Sequence, residues 1–346
     1  MPAAAALLVL ALAGCASGRS HDAAAQSTGS PAMSRPAASA TTAADDPCIA
    51  SRGVLVSSVS ELKSALAGAR PGDTIRLAPG TYDGHFTAAI SGTSAAPITL
   101  CGPRNAVLDG GSISSGYTLH LNHAWWWRVE GFTIEGGQKG VMADGSDYDV
   151  LSGLFVHSTG DEAIHLREFS SHDVVSHCIV RDTGLLVAFY GEGIYVGSAH
   201  KNWCRYTKCQ PDASDDDVIE GNDIASTTAE NIDIKEGTSG GLITGNHLSG
   251  TGMVASAATA WVNVKGNDWT ITDNTGVDSI KDGFQVHQVY PGWGIGNVFR
   301  RNDAQVNGPG HGFYVQNDRL RTVVACSNRV SGADLGFSTI ACTPAG

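Results

Sequence analysis

Short apolar-x-apolar triplets recur along the chain, at 75–77, 98–100, 119–121, 141–143, 164–166, 194–196, 232–234, 262–264, 284–286 and 313–315. A period of two sets the outer pair of each triplet against a core and the middle residue on the opposite face. First positions lie 21 to 38 residues apart. The pattern therefore describes about ten coils of similar length, some enlarged by loops, which is the signature of a solenoid. A second series closes on asparagine: IEGN at Asn222, ITGN at Asn246, ITDN at Asn274, FRRN at Asn302 and ACSN at Asn328. Asparagines stacked at one turn satisfy each other and the neighbouring backbone. A coil of this size cannot bury its apolar side alone and must stack on its neighbours. The prediction is an all-β chain, a single-stranded right-handed parallel β-helix. Val59, Leu62 and Leu66 share one helical face, with Ser60 as N-cap and Gly68 as stop, and predict a helix that caps the N-terminal end.

Stacking the triplets in register generates columns of outward side chains. The column before the strands reads Lys139, Glu162, Glu192, Glu230, Ala260, Asp282 and His311; the column within them reads Met142, His165, Tyr195, Asp233, Asn263, Gln285 and Tyr314. The column after them reads Asp144, Arg167, Gly197, Lys235, Lys265, His287 and Gln316, and Trp261 is placed on the same surface. Coils stack about 4.8 Å apart, so these residues form one patch, walled by the insertions 197–217 and 248–260. Aromatic rings among paired opposite charges suit a sugar-binding groove, with His165, Arg167, Trp261, Asn263, Gln285, His311 and Tyr314 as substrate contacts.

Composition agrees with a turn-rich solenoid: 346 residues carry 43 Gly and 12 Pro, and 16% are charged. A formal charge of -12 argues against nucleic acid, which is held by excess Lys and Arg. An anionic polymer would instead need local cations, of which Lys235, Lys265 and Arg167 are candidates.

The chain opens on an Ala- and Leu-rich run over residues 3–13, followed by Leu12-Ala-Gly-Cys15. This resembles a bacterial lipoprotein signal and predicts an exported protein, lipid-anchored through Cys15 at the cell surface or in the periplasm; an ordinary signal peptide would make it secreted. Residues 16–46 are Ala, Ser, Thr and Pro with almost no large apolar side chain, a composition for a disordered tether. Residues 47–346 form the β-helix domain, read as a monomer. Export makes disulfides plausible, with Cys48–Cys101, Cys204–Cys209 and Cys326–Cys342 as candidate pairs and Cys178 left free and buried.

The capping helix with PGDTIRLAPGTY, and then the order GEGIYVGS, VIEGN, ENIDIK, WVNVKGND, resemble polysaccharide lyase family 6, the alginate lyase and chondroitinase B group. The likeness runs over most of residues 54–330, and the 191–268 part carries it most specifically. In that family a Glu is followed five residues later by a Lys that acts as Brønsted base, and the next coil carries an Arg and His-Gly as acid. Glu230 and Lys235 have that spacing, and Lys265 stands in the Arg position. The family's calcium, held by an Asn and two Glu, implies Ca²⁺ here on Glu230, with Asp233 and Glu192 as further oxygen ligands. Thr228 stands where the second Glu is expected, and the bidentate clamp of an Arg is lost at Lys265.

Such a lyase eliminates across C4 and C5 of a uronic acid. It must neutralise the carboxylate, remove the C5 proton and protonate the leaving oxygen. Lys235, its pKa lowered by neighbouring cations, is the expected base, and Lys265, Tyr195 or His287 the expected donor. The competing reading of Lys235 is an amine paired with Asp233 or Glu230 across coils. Three other functions fit the same face. A glycoside hydrolase would use two of its carboxylates, an epimerase would invert C5 without cleavage, and a non-catalytic binding protein would stack sugars on Trp261, Trp269, Trp293 and Tyr314. The run Trp125-Trp-Trp127 reads as structural, SDDD at 214–217 as an acidic surface turn before a calcium loop, and the pair His172 and His177 lacks a zinc pattern.

Overall fold

The computed structural model describes Cys48 and residues 53–344; Cys15, the signal segment and the tether lie outside the described residues. Three parallel sheets, of eleven, ten and ten strands, wind into a β-helix. Among the described residues, Val54–Val56 pairs with the next strand in sequence, Thr74–Leu77, and every other pair joins equivalent strands of neighbouring coils.

The sheet that carries the predicted columns begins at Phe86–Ala88 and runs through Tyr117–Asn122, Lys139–Asp144, Ile164–Arg167, Ile194–Val196, Ile232–Ile234, Ala260–Val264, Asp282–Val286 and His311–Val315 to Gly336–Ser338. Its register is the predicted one. Met142 pairs with His165, His165 with Tyr195, Tyr195 with Asp233, Asp233 with Asn263, Asn263 with Gln285 and Gln285 with Tyr314. The first two triplets are a correction. Thr74–Leu77 and Ile98–Cys101 lie in the eleven-stranded sheet, and Phe86–Ala88 is the strand beside Leu119. All three strands of a coil show the same period-2 pattern there, so the triplet alone does not say which sheet it joins.

At the turn after the eleven-stranded sheet, Asn222, Asn246, Asn274, Asn302 and Asn328 form the expected ladder. Each Oδ1 accepts from the backbone N and Nδ2 of the asparagine one coil earlier at 2.9 to 3.1 Å, as between Asn246 and Asn222. Cys178 starts it by donating its backbone N to Asn222 Oδ1 at 2.9 Å. Its thiol is buried and free, and burial pushes it up to about 12, outside the reactive range. The three expected disulfides are present.

The capping helix spans Val59–Ala67 with Leu62 and Leu66 buried, and Gly68 N bonds back to Ser64 O at 3.0 Å. Ser58 rather than Ser60 is the N-cap. Ser58 has extended dihedrals and accepts from Glu61 N at 3.3 Å, while Glu61 reaches back to Ser57 N at 2.7 Å, a reciprocal capping arrangement that Ser60 cannot make from inside the helix.

Trp261 is the second correction. It is fully buried, donates Nε1 to Val277 O at 3.1 Å and packs edge-on against Phe284. The residue just before each triplet turns into the core at the corner of the coil, and Gly140, Ala163, Gly193, Gly283 and Gly312 fill that place in other coils. A Cβ on Gly276 would lie 2.3 Å from the Trp261 ring, so the indole occupies room that this glycine leaves. Trp127 and Trp269 are buried too.

The ladder sets an expectation for stability. Asn246→Ala leaves Asn222 N and Nδ2 without their acceptor inside the protein and removes the bond to Ile219 O. Orphaned buried donors cost about 1 to 3 kcal/mol each, so the chemical-denaturation midpoint should fall clearly, whereas Asn105→Ala at the exposed surface should change stability by no more than about 0.5 kcal/mol.

Candidate active site

The middle column ends in charge. Asp233, 1% exposed, accepts from Lys235 Nζ at 2.5 Å through Oδ2 and from Lys265 Nζ through Oδ1. Lys235 and Lys265 follow their strands at equivalent places, because Lys235 N bonds to Val196 O and Lys265 N to Ile234 O. Lys235 Nζ also lies 4.7 Å from the centre of the Tyr195 ring. Glu192 and Glu230, from the column before the strands, complete a buried trio with Asp233 in which each residue offers an oxygen within 4.8 Å of the others. Asn263 donates Nδ2 to Glu230 Oε1 at 3.0 Å, and its Oδ1 lies 2.9 Å from His287 Nδ1. Since the Asn263 amide nitrogen faces the carboxylate, its oxygen must accept, which assigns the proton of His287 to Nδ1 and leaves Nε2 with a lone pair.

The electrostatics redistribute the roles expected from sequence. Burial alone would lower Lys235, but Asp233, Tyr195 and Glu192 outweigh it and hold the amine well above its ordinary value. This reverses the expected depression: the cross-coil ion pair wins. Asp233 is held low because its two ammoniums overcome its burial. Burial, with Asp233 adding, pushes Glu192 up to about 8 and raises Glu230. Burial raises Tyr195 as well, with Lys235 opposing it. Burial and the Lys265 charge lower His287 to about 4, so at neutral pH it is an imidazole without a proton on Nε2. That is a correction for His287 as proton donor.

The remaining predicted contacts divide into two groups. His311 and Tyr314 are half-buried beside the cluster; Lys281 approaches the Tyr314 ring at 5.7 Å, and His311 N bonds to Asp282 at 2.7 Å. Gln285 is buried and spent on Asp282 and Thr259. His165 is buried under Tyr195 with Nε2 on Gly197 O at 2.9 Å, and burial with the Arg167 and Lys139 charges keeps it well below its ordinary range. Arg167 is buried, clamped on Asp144 at 2.6 Å and covered by the Tyr206 ring at 4.0 Å. It is a structural cation rather than a free one.

Calcium meets a different arrangement from the one expected. The three acids are together, but both oxygens of Asp233 hold lysines. A site for six to eight oxygens is reduced to Glu192 and Glu230, with two ammoniums where the ion's charge would be. The residues do not fit the ion.

Two features escaped the sequence. Glu236, next to Lys235 and 2% exposed, accepts from His200 N at 2.7 Å and faces His200 Nδ1 at 2.6 Å. Trp203 packs on Tyr290, and Ser198 donates to Asp212 at 2.6 Å. These ties fasten the insertion 197–217 as one wall. On the other flank, Val254 N bonds to Thr228 O and Thr228 Oγ1 to Ala188 O. The cysteine pair Cys204–Cys209 was the one sequence signal that this insertion is ordered.

No family model and no curated protein matches the chain. Among solved structures, an alginate lyase from Paenibacillus sp. str. FPU-7 matches with a TM-score of 0.76 at 34% identity, over 84% of this chain and 99% of that one. Pectate lyase Pel9A matches with a TM-score of 0.52 at 15% identity, over 78% and 72% of the two chains. A mannuronic acid specific family 6 lyase from human gut microbiota gives 0.53 at 13% identity, over 84% and 77%. These last two share the fold.

Glu192 makes the site pH-sensitive. Its folded value of about 8 lies above the ordinary 4.5, so the stability it carries is complete below that ordinary value and is lost as pH rises through about 8. Glu192→Gln should melt at a temperature that declines less between neutral and mildly alkaline pH than that of the wild type.

Proposed function

Because the chain belongs to the family of β-helical alginate lyases, polysaccharide lyases by activity, we propose that it cleaves a uronic-acid polysaccharide by β-elimination in the groove over Tyr195, Lys235 and Lys265. The observation that carries this reading is the Asp233 carboxylate holding two lysines beside a buried tyrosine. Elimination breaks the C5–H and C4–O4 bonds, forms C4=C5 and moves one proton onto O4. The base must be free of its proton, and in the resting site neither candidate is: Asp233 holds the proton on Lys235 and burial holds the one on Tyr195. We assign the role to Tyr195, because the Lys235 ammonium opposes the effect of burial and favours the phenolate; Tyr195 gives its own proton to solvent, takes the C5 proton as phenolate and returns it to O4. Lys235, the base in the sequence reading, becomes the ammonium that stabilises the phenolate. Lys265 supplies positive charge for the substrate carboxylate, and the Nε2 lone pair of His287 accepts from a sugar hydroxyl.

Three disulfides suit an oxidising compartment and support export, with lipidation at Cys15 as the proposed anchor. The site chemistry is complete without calcium, since the lysines occupy the place of a cation.

The test is the absorbance of unsaturated product with a panel of uronic-acid polymers, alginate among them. Tyr195→Phe and Lys235→Ala should each lose at least about 100-fold in kcat, the wild-type rate should rise with pH as the tyrosine ionises, and a chelator should leave it unchanged. Saturated fragments would identify a hydrolase, and full activity in Tyr195→Phe would remove Tyr195 from the mechanism.

A further inference from the structure

The corner between the groove sheet and the eleven-stranded sheet repeats one four-residue turn, at 124–127, 146–149, 170–173, 214–217, 238–241, 266–269 and 294–297. Its third residue is left-handed in every coil: Trp126 at φ 61°, Tyr148 at 61°, His172 at 60°, Asp216 at 59°, Gly240 at 79°, Asp268 at 55° and Gly296 at 78°. The fourth residues consequently stack in one column. In that column Asn297 makes two bonds, accepting from Trp269 N through Oδ1 at 2.9 Å and donating Nδ2 to Gly266 O at 3.0 Å. Asp149, Asp173 and Asp217 stand in the same place. Each makes the first bond, with Oδ1 accepting from Trp127 N at 2.7 Å, Asp149 N at 2.7 Å and Asp173 N at 2.8 Å. None makes the second. All three Oδ2 atoms are buried without a partner, in side chains no more than 1% exposed.

The carbonyls that correspond to Gly266 O are those of Ala124, Ser146 and Ser170. An ionised Oδ2 would face a carbonyl oxygen and repel it, whereas a protonated one donates as the Asn297 amide does. We infer that Asp149, Asp173 and Asp217 are neutral carboxylic acids in the folded protein, each substituting for the asparagine of this column by donating Oδ2–H to the carbonyl of the preceding coil.

The titratable groups facing the column are Asp147, Asp215 and Asp216 of the same corner, with His172 Nδ1 at 3.8 Å from Asp216. Among the described residues no ion pair reaches the three ladder acids. Burial comes first for all three, joined at Asp173 by its ladder neighbours Asp217 and Asp149 and elsewhere by Asp147, Asp215 and Asp216, and pushes them well above the ordinary carboxylate range. Their folded values lie above the unfolded one, so the stability they carry is complete below about pH 4 and is lost as pH rises through the folded values. Asp217 also ends the insertion that walls the groove, so ionisation loosens the corner and that wall together.

Infrared spectra and thermal melts from about pH 5 to about pH 9 compare the wild type with the triple variant Asp149→Asn, Asp173→Asn, Asp217→Asn. The difference spectrum at neutral pH should show protonated-carboxyl absorption lost in the variant. The variant's melting temperature should fall less steeply with pH and exceed the wild type's by several degrees at the alkaline end. A missing carboxylic-acid band, or superimposable pH dependences, would overturn the inference. Should the triple variant not fold, Asp173→Asn alone should show the same changes at smaller size and melt above Asp173→Ala at every pH. Equal damage from both substitutions would overturn it as well.

Discussion

Unshifted parallel stacking of one coil on the next governs everything else in this molecule. A residue at a given place in one coil lies beside the residue at that place in the next, about 4.8 Å away. Chemistry absent from any single coil is therefore assembled from three or four. Tyr195, Asp233 and Asn263 come from consecutive strands. The asparagine ladder follows the same rule at a different turn, and the column of acids and Asn297 follows it at a third.

This geometry also makes buried charge tolerable. An isolated carboxylate in the interior is costly, but stacking can set a cation one coil away against it. Asp144 with Arg167 and Glu162 with Lys139 are such pairs, and each leaves little for a ligand. The Asp233 cluster differs. Two lysines share one carboxylate while Glu192 and Glu230 stand close with incomplete partners; Glu192 Oε2 is buried without a hydrogen bond. Surplus charge and unsatisfied oxygen distinguish a site from a staple.

Much of this was legible in the sequence, because a period-2 triplet repeated at near-constant spacing fixes both the fold and the register of its columns. The composition of the Glu192, Tyr195, Asp233, Lys235 and Lys265 cluster follows directly. Side-chain depth does not. Trp261 sits where the chain turns a corner and two successive residues face inward, a local departure that alternation cannot express. The sense of the Lys235 shift needed a distance, since cations that would lower it and the carboxylate that raises it are equally close in the columns. Asp217 belongs to the run SDDD, which reads as an acidic surface turn; only the stacked turn conformation shows that its last residue points into the protein.

Charge ties the site to its substrate. The chain as a whole carries a formal -12, an unpromising field for the uronate polymer proposed as substrate. Counted by formula, the cluster is also negative, with three acids against two lysines. Burial changes that count. With Glu192 raised to about 8, that acid keeps its proton at neutral pH, and the rise of Glu230 acts in the same direction, so the two lysines held by Asp233 face less negative charge than the formula suggests. Raising Glu192 by burial thus performs part of the task that a bound cation would perform in a site of fully ionised acids. Asp233 alone of the three is pushed toward its ionised form, because it holds both lysines.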